Sequence, residues 1–251
     1  MSLFEVRNIS KKFGGLTVID GLSFEVNAGE RLGLIGPNGA GKTTAFNLIS
    51  GLYPVDGGSI TLDGQRLDEL PADRRIYAGV ARSFQNIRLM PHLSALENVM
   101  LGQQTWSTGF ANLFPLGFIK RNRWREAAAA ALDEAGLGQY KLRLASTLPY
   151  GVQKRIEIVR ALQARPKLLL LDEPAAGLNS HETEDLKNFL VKVTGEGLTL
   201  LVVEHDMPFV SQLCHRVVVL NFGVKIAEGD FAEVRKNPDV LEAYLGRRHA
   251  S

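Results

Sequence analysis

The stretch Gly36-Pro37-Asn38-Gly39-Ala40-Gly41-Lys42-Thr43 decides the fold of this 251-residue chain. Its spacing satisfies the phosphate-loop pattern G-x-x-x-x-G-K-[ST]. A nucleoside triphosphate is a dense anion, and a ring of backbone N–H donors is the simplest receptor for it. Gly36, Gly39 and Gly41 can take positive φ and bring main-chain amides against phosphate oxygens with no Cβ in the way. Lys42 to Ile49 read as a helix, whose N-terminal amides and partial charge of about half a unit point at the same phosphates. Lys42 is placed to reach the β and γ oxygens of ATP as a point charge, and the Thr43 hydroxyl to ligate Mg²⁺. With Pro37, Asn38, Ala40 and Thr44 these residues form one candidate nucleotide-contacting segment. Arg31 to Ile35 upstream reads as a buried strand and completes the strand, loop, helix context that the pattern requires. The expected class is α/β, a P-loop NTPase core built on a parallel sheet.

Outward from the loop, two more apolar runs end in polar residues. Lys167 to Leu171 leads into Asp172-Glu173 and Pro174. A continuous apolar strand ending in carboxylates is what a central parallel strand with a site at its C-terminal edge looks like. Asp172 is placed to hold the magnesium shell, since a hard cation prefers oxygen ligands. Glu173, one residue later, points elsewhere and is the candidate for orienting and deprotonating an attacking water. Thr199 to Val203 finishes at Glu204-His205-Asp206, and the spacing of His205 behind the acidic pair suits a contact to the γ-phosphate. Gln85, in Arg82-Ser83-Phe84-Gln85, offers a side-chain oxygen that could complete the magnesium shell. Its spacing alone assigns it nothing.

Composition bounds the rest. At 45% hydrophobic and 22% charged, the chain can bury a large core as one unit with lobes. A formal charge of +2 argues for no nucleic acid and no anionic membrane as principal partner. One cysteine, Cys214, excludes an internal disulfide framework and fits a reducing cytosol. Met1 to Ser10 mixes acid, base and apolar residues, unlike a signal peptide, and no run of about eighteen apolar residues could cross a bilayer. Any transport function therefore requires separate membrane subunits.

Along the chain, Phe4 to Ile9, Leu22 to Val26 and Ser59 to Leu62 are strand-like, with turns at Gly14-Gly15 and Asp63-Gly64, and predict an antiparallel β patch beside the parallel core. From about Gln85 the character turns helical, including the alanine-rich Arg125 to Ala135, which predicts a helical lobe over roughly 86–162. The tail, 229–251, comes after two strands, Arg216 to Leu220 and Val224 to Ala227, and carries a short helix near Val240 to Leu245. Inside the lobe, Trp106 to Trp124 mixes Trp106, Phe110, Phe114 and Phe118 with Lys120, Arg121, Arg123 and Arg125. Those aromatics either pack on their own lobe or grip a partner, and an exposed apolar patch of several hundred Å² would favour the partner.

The ordered set of Gly36 to Thr43, Gln85, Leu148-Pro149-Tyr150-Gly151, Leu171-Asp172-Glu173-Pro174 and His205 resembles an ABC-type ATP-binding cassette, and the resemblance runs from Phe4 to about Gly246. It implies that Phe13 stacks on adenine, that Gln85 is the magnesium-sensing residue and His205 the switch histidine, and that Gly151 belongs to the signature. The family pattern Leu-Ser-Gly-Gly-Gln reads here Leu148-Pro149-Tyr150-Gly151-Val152, so the serine hydroxyl is gone and backbone N–H groups at the start of the next helix remain for the γ-phosphate. Its apolar stripe Val152, Ile156, Val159 has helical periodicity. Asn179, in Ala175-Ala176-Gly177-Leu178-Asn179, stands in the loop that crosses the dimer interface, where an aspartate is usual. The resemblance further implies two cassettes facing head to tail, each ATP held between the phosphate loop of one and the signature of the other, with closure on ATP and opening after hydrolysis as the power stroke.

The long segment after Glu97-Asn98-Val99, the Leu-Pro-Tyr-Gly signature and the ending Asn237-Pro238-Asp239-Val240-Leu241-Glu242-Ala243-Tyr244-Leu245-Gly246 are similar to the ATP-binding subunit of bacterial importers for branched-chain amino acids. That subfamily implies permease subunits in the membrane, a second and different cassette as partner, an extracytoplasmic solute-binding protein, and a peripheral position on the cytoplasmic face of the inner membrane. Cassettes of urea or amide importers, and soluble cassettes such as those of iron–sulfur assembly, are the alternatives.

Overall fold

The structure, a computed structural model, describes residues 2–83, 86–103, 117–195 and 197–245. Two sheets organise it. Strands β1 (Ser2–Phe13), β2 (Leu16–Asn27), β4 (Gly57–Leu62) and β5 (Gln65–Arg66) form an antiparallel sheet in the order β2-β1-β4-β5. The second sheet has the order β10-β9-β3-β8-β7-β6, with β3 (Arg31–Ile35), β6 (Val80–Arg82), β7 (Leu168–Asp172), β8 (Thr199–Val203) and β9 (Arg216–Asn221) parallel, and β10 (Val224–Gly229) antiparallel at its edge. The expected β patch and parallel core are both present.

The unbroken apolar runs have a direct cause. In a strand, successive side chains face opposite ways, so a strand covered on both faces must be apolar throughout. On β7, Leu168 and Leu170 enter a core shared with the antiparallel sheet and with helix α1 (Lys42–Ile49), among Phe4, Phe24, Phe46 and Ile60. Leu169 and Leu171 enter the other core, among Leu132, Val152, Ile156, Val159, Leu186 and Val202. That second core is closed by α3 (Ala95–Leu101), α4 (Gly117–Glu134), α5 (Tyr150–Leu162) and α6 (Ser180–Gly195). A third cluster seats Val210 of α7 (Met207–Leu213) and Val240 of α9 (Pro238–Leu245) against Ile35, Val217 and Val219, beside α8 (Phe231–Val234).

Several boundaries differ from those the sequence predicts: β1, β2, β4, β9, β10 and α9 all extend beyond the expected spans, and two further shifts have a visible cause. Strand β7 lies one residue later than Lys167–Leu171, because the Lys167 and Leu168 amides both turn to the Gly79 carbonyl, and Asp172 continues the ladder opposite Val203. The alanine-rich helix begins at Gly117, eight residues before Arg125, and ends where Gly136, at φ +69°, turns the chain so that the Leu137 amide reaches Leu132 O at 2.7 Å. Helix α3 is opened by a reciprocal cap between Ser94 and Glu97. The aromatic stretch Trp106–Trp124 lies for the most part outside the described residues. Among the described residues, no helix is long and apolar enough to cross a membrane.

Candidate functional site

Parallel strands β3, β7 and β8 end at one edge of the sheet, and each runs into a loop of glycine-rich or polar sequence. After β3 the chain enters the phosphate loop, where Gly36 and Gly41 are crowded as well as at positive φ. Gly36 sits at φ +151°, and a Cβ there would stand 2.2 Å from the Leu220 carbonyl oxygen; Gly41 sits at φ +102°, against the Ile19 side chain and the Val18 carbonyl. Gly39 is at φ +80°. Helix α1 starts at Gly41 with no side-chain cap, so its first amides are left for an external acceptor. Thr43, Asn38 and Gly39 are exposed, Pro37 and Thr44 half-buried, and Ala40 is buried, its carbonyl accepting from the Gly223 amide at 2.9 Å. The Lys42 ammonium is buried and donates to Gly36 O at 2.6 Å and Pro37 O at 3.0 Å. Desolvation lowers its pKa, and the Glu173 carboxylate opposes that shift.

At the end of β7, neighbouring residues face different surroundings. The Asp172 side chain is 9% exposed and its Oδ2 accepts from Arg82 Nη2 at 2.7 Å. Glu173 departs from the strand into the left-handed region at φ +46°, uncommon for a residue with a Cβ, while its amide stays bound to Val203 O at 2.9 Å. Its carboxylate is brought to His205, with Oε1 3.8 Å from Nδ1, and the imidazole is 61% exposed. Glu204, buried at the end of β8, organises this corner. Its Oε1 accepts from the Ala175 amide at 2.8 Å, and its Oε2 from the His205 amide at 3.0 Å and the Asp206 amide at 3.4 Å. Burial raises the Glu204 pKa, and these three amides and His205 act against the rise.

Phe13, at the end of β1, is 42% exposed, with Tyr53 edge-on at 5.2 Å and Lys11 Nζ 5.6 Å from its ring centre. The ring is therefore propped by two neighbours with area left for a flat ligand. Gln85 lies outside the described residues. The segment after it is gripped from α5: Glu157 Oε1 accepts from the Arg88 amide at 3.0 Å, and Arg160 Nη1 donates to the Arg88 carbonyl at 2.7 Å.

Gly151 is not brought to the phosphate loop of its own chain. It opens α5, whose apolar side lies in the core on the opposite face of the parallel sheet from α1. Pro149 leaves α5 without a side-chain cap, as at α1. Gly151 is buried beneath Glu182, whose Oε1 would stand 2.4 Å from an added Cβ, so a larger residue there would displace the Glu182 side chain. Asn179 is exposed, but its side-chain oxygen accepts from the Glu182 amide at 3.0 Å while Glu182 returns a bond to the Asn179 amide. That reciprocal cap starts α6 and spends the acceptor inside the chain.

Arg82, Glu204 and Glu157 support the site although their sequence context assigns them no role. The available signal is position alone: Glu204 follows an apolar strand, as Asp172 does. The tail also contributes more than its sequence suggests. Val240 packs beside Ile35, directly before the loop, and Tyr244, whose phenol pKa partial burial raises, receives a backbone hydrogen bond from Gly36.

The chain matches the family described as ABC transporter over residues 19–176, and the family described as branched-chain amino acid ATP-binding cassette transporter over residues 224–250. It is 43% identical to the high-affinity branched-chain amino acid transport ATP-binding protein BraF of Pseudomonas aeruginosa, over 97% of this chain and 98% of that one. It is 40% identical to LivG of Escherichia coli, which carries the same description, with the same coverage. The lipopolysaccharide export system ATP-binding protein LptB of Escherichia coli is 30% identical over 98% of both chains. Among solved structures, the ADP conformation of the cassette MJ1267 superposes with a TM-score of 0.86 at 30% identity, covering 98% of this chain and 100% of that one. Matched over most of its length in sequence and in fold, this chain belongs to the ABC transporter family, as one of its ATP-binding cassettes.

Proposed function

We propose that this chain is the ATP-hydrolysing subunit of an importer for branched-chain amino acids, working through separate permease subunits on the cytoplasmic face of the inner membrane. The observation that carries the chemistry is the edge where β7 and β8 end, which offers a buried carboxylate, a second carboxylate turned aside, and an imidazole 3.8 Å from the latter. Supporting the substrate class are the relatives at 40–43% identity and the match of the tail.

ATP lies with adenine on Phe13 and its phosphates in the loop Gly36 to Thr44, where the Lys42 ammonium exchanges loop carbonyls for phosphate oxygens. The donors available to Mg²⁺ are the Thr43 hydroxyl and the Asp172 carboxylate, with Gln85 as a third. All are oxygens, which suits a hard divalent ion. When bound, that ion neutralises charge on the β- and γ-phosphates. Glu173 orients the water that attacks the γ-phosphorus and accepts its proton, and His205 hydrogen-bonds the γ-phosphate. The uncapped start of α5, Gly151 included, serves the nucleotide of a second cassette, with Asn179 in the loop at that seam. The whole chain is one nucleotide-binding domain, with a helical lobe over about 86–162 and a tail from 229. A different cassette is the expected partner, and a solute-binding protein delivers substrate outside.

The test is copurification with its permease and partner cassette, reconstitution in vesicles with ATP inside, and uptake of labelled leucine, isoleucine and valine. ATP-dependent uptake of these, blocked by Glu173→Gln, is the expected outcome. Uptake of urea alone, or full ATPase activity with no membrane partner recovered, would overturn the substrate assignment or the transport role respectively.

A further inference from the structure

Arg82 is the last residue of β6, three residues ahead of Gln85, and its side chain is 9% exposed. One guanidinium joins three segments. Nη2 donates to Asp172 Oδ2 at 2.7 Å, while Nη1 donates to Asn47 Oδ1 at 2.8 Å and to Ser50 Oγ at 2.7 Å, both belonging to the phosphate-loop helix or its C-terminal cap. The same group lies 5.7 Å from the centre of the Phe46 ring. A planar fork held at this many points does not swing away to make room for another cation, and it does not give up its proton.

We propose that Arg82 is a resident counter-cation for Asp172 that makes metal capture at this carboxylate conditional on nucleotide. The inference rests on the reading of Asp172 as a metal ligand. The Asp172 side chain is 9% exposed, and in the absence of nucleotide the Arg82 guanidinium is the positive charge its carboxylate faces. A divalent ion arriving alone must then share one carboxylate with a fixed positive charge a few ångströms away, where the repulsion is weakly screened. An ion arriving on the β- and γ-phosphates carries its own compensating negative charge, and the repulsion is offset. Arg82 is therefore a positioning residue. It orients Asp172, leaves its second oxygen for the ion, and penalises metal without nucleotide.

The full-length protein tests this with Mn²⁺, whose free aquo signal in electron paramagnetic resonance disappears on binding, so the readout does not depend on turnover. Without nucleotide, Arg82→Gln should bind Mn²⁺ at least about tenfold more tightly than wild type, because one unit of repulsion is gone. Arg82→Lys, which keeps the charge, should stay near wild type. With ADP present, the difference between wild type and Arg82→Gln should shrink to within about threefold, as the phosphates dominate the ion's surroundings. A merely structural role predicts the opposite sign, weaker binding in a loosened site. Unchanged or weaker nucleotide-free binding by Arg82→Gln overturns the proposal, as does equal tightening in Arg82→Lys. Arg82→Met replaces the glutamine variant if thermal melting shows that the latter does not fold. Asp172→Asn separates the two readings. If it abolishes Mn²⁺ binding with ADP, Asp172 is a ligand whatever Arg82 does; if Mn²⁺ binding survives in Arg82→Gln/Asp172→Asn, the metal is not on Asp172 and the underlying reading fails.

Discussion

Asp172 and Glu173 are adjacent carboxylates where β7 ends, yet the molecule builds two unlike seams around them. The Asp172 seam is buried and held on one side, with one oxygen on a guanidinium that is itself tied to Asn47 and Ser50. The Glu173 seam is more open, with a carboxylate 24% exposed, a backbone in the left-handed region and an exposed histidine at 3.8 Å. A group that holds a cation gains from rigidity and a fixed charge balance. A group that must take a proton gains from access to water and a partner that can change its own charge. The break in strand geometry at Glu173 turns the second carboxylate away from the first, which is what the proposed division of tasks requires.

Breaking the comparison at its reactive end should give the largest effect. Glu173→Gln keeps the size and the hydrogen-bonding oxygen but removes the base, so steady-state hydrolysis should fall by roughly 10² to 10⁴, the range of a general base, while ATP still binds. Phosphate release and fluorescent-nucleotide binding measured on one preparation check both halves. Hydrolysis at the wild-type rate would remove Glu173 from the chemistry.

The next effect sharpens the comparison, because the open seam has a hidden support. Glu204 accepts three backbone amides, and Glu204→Ala leaves them without that acceptor in a buried corner. At about 1–3 kcal/mol for each unsatisfied buried group, partly relieved by water, a loss on the order of 3 kcal/mol is expected. For a chain of this size that is a fall of roughly 6–12 °C in melting temperature. Glu204→Gln retains an acceptor oxygen and should lose less than half as much; equal losses from both would show that the charge, and not the amide bonds, holds the corner. The pH dependence has a definite sign. Burial raises the folded pKa of Glu204, so the folded state keeps a proton that the unfolded state releases, and stability falls as pH rises from the ordinary carboxylate value through the folded one. Glu204→Gln should flatten that slope in melts run across the acid range.

How far the sequence can be read obeys the same division. Helix α1, β3 and β8 occupy the spans expected, because a phosphate loop and an apolar run bounded by polar residues are local signals. The edge that gathers the phosphate loop, Asp172, Glu173 and His205 is legible too, since parallel strands must end together. Partnership is not legible. Nothing in Val80-Ala81-Arg82 announces that the arginine will reach residues 35 and 90 positions away, and Glu204 is an ordinary strand-end acid until Ala175 folds over it. Asparagine at 179 reads in sequence as a lost charge facing a partner, whereas its oxygen caps α6 locally. The signature can be located by resemblance and by the apolar stripe of α5, but a single chain holds it across the sheet from its own phosphate loop, so the role proposed for it requires a second chain.

The smallest effect is expected behind the open seam, at Cys214. The thiol closes the end of α7 close to Gly33, where an added Cβ would stand 3.2 Å from Sγ, and burial pushes its pKa up to about 12. At pH 8 the thiolate fraction is then about a thousandfold below that of an ordinary cysteine, so disulfide reagents should modify Cys214 slowly in the native protein and promptly once it is unfolded. A thiol in that state is a small hydrophobe, and Cys214→Ala removes one packed atom. The variant should hydrolyse ATP within about twofold of wild type and lose only about 1 kcal/mol of stability. Fast native labelling would mean that solvent reaches the thiol in the folded protein, and Cys214 would not belong to the apolar packing around Gly33.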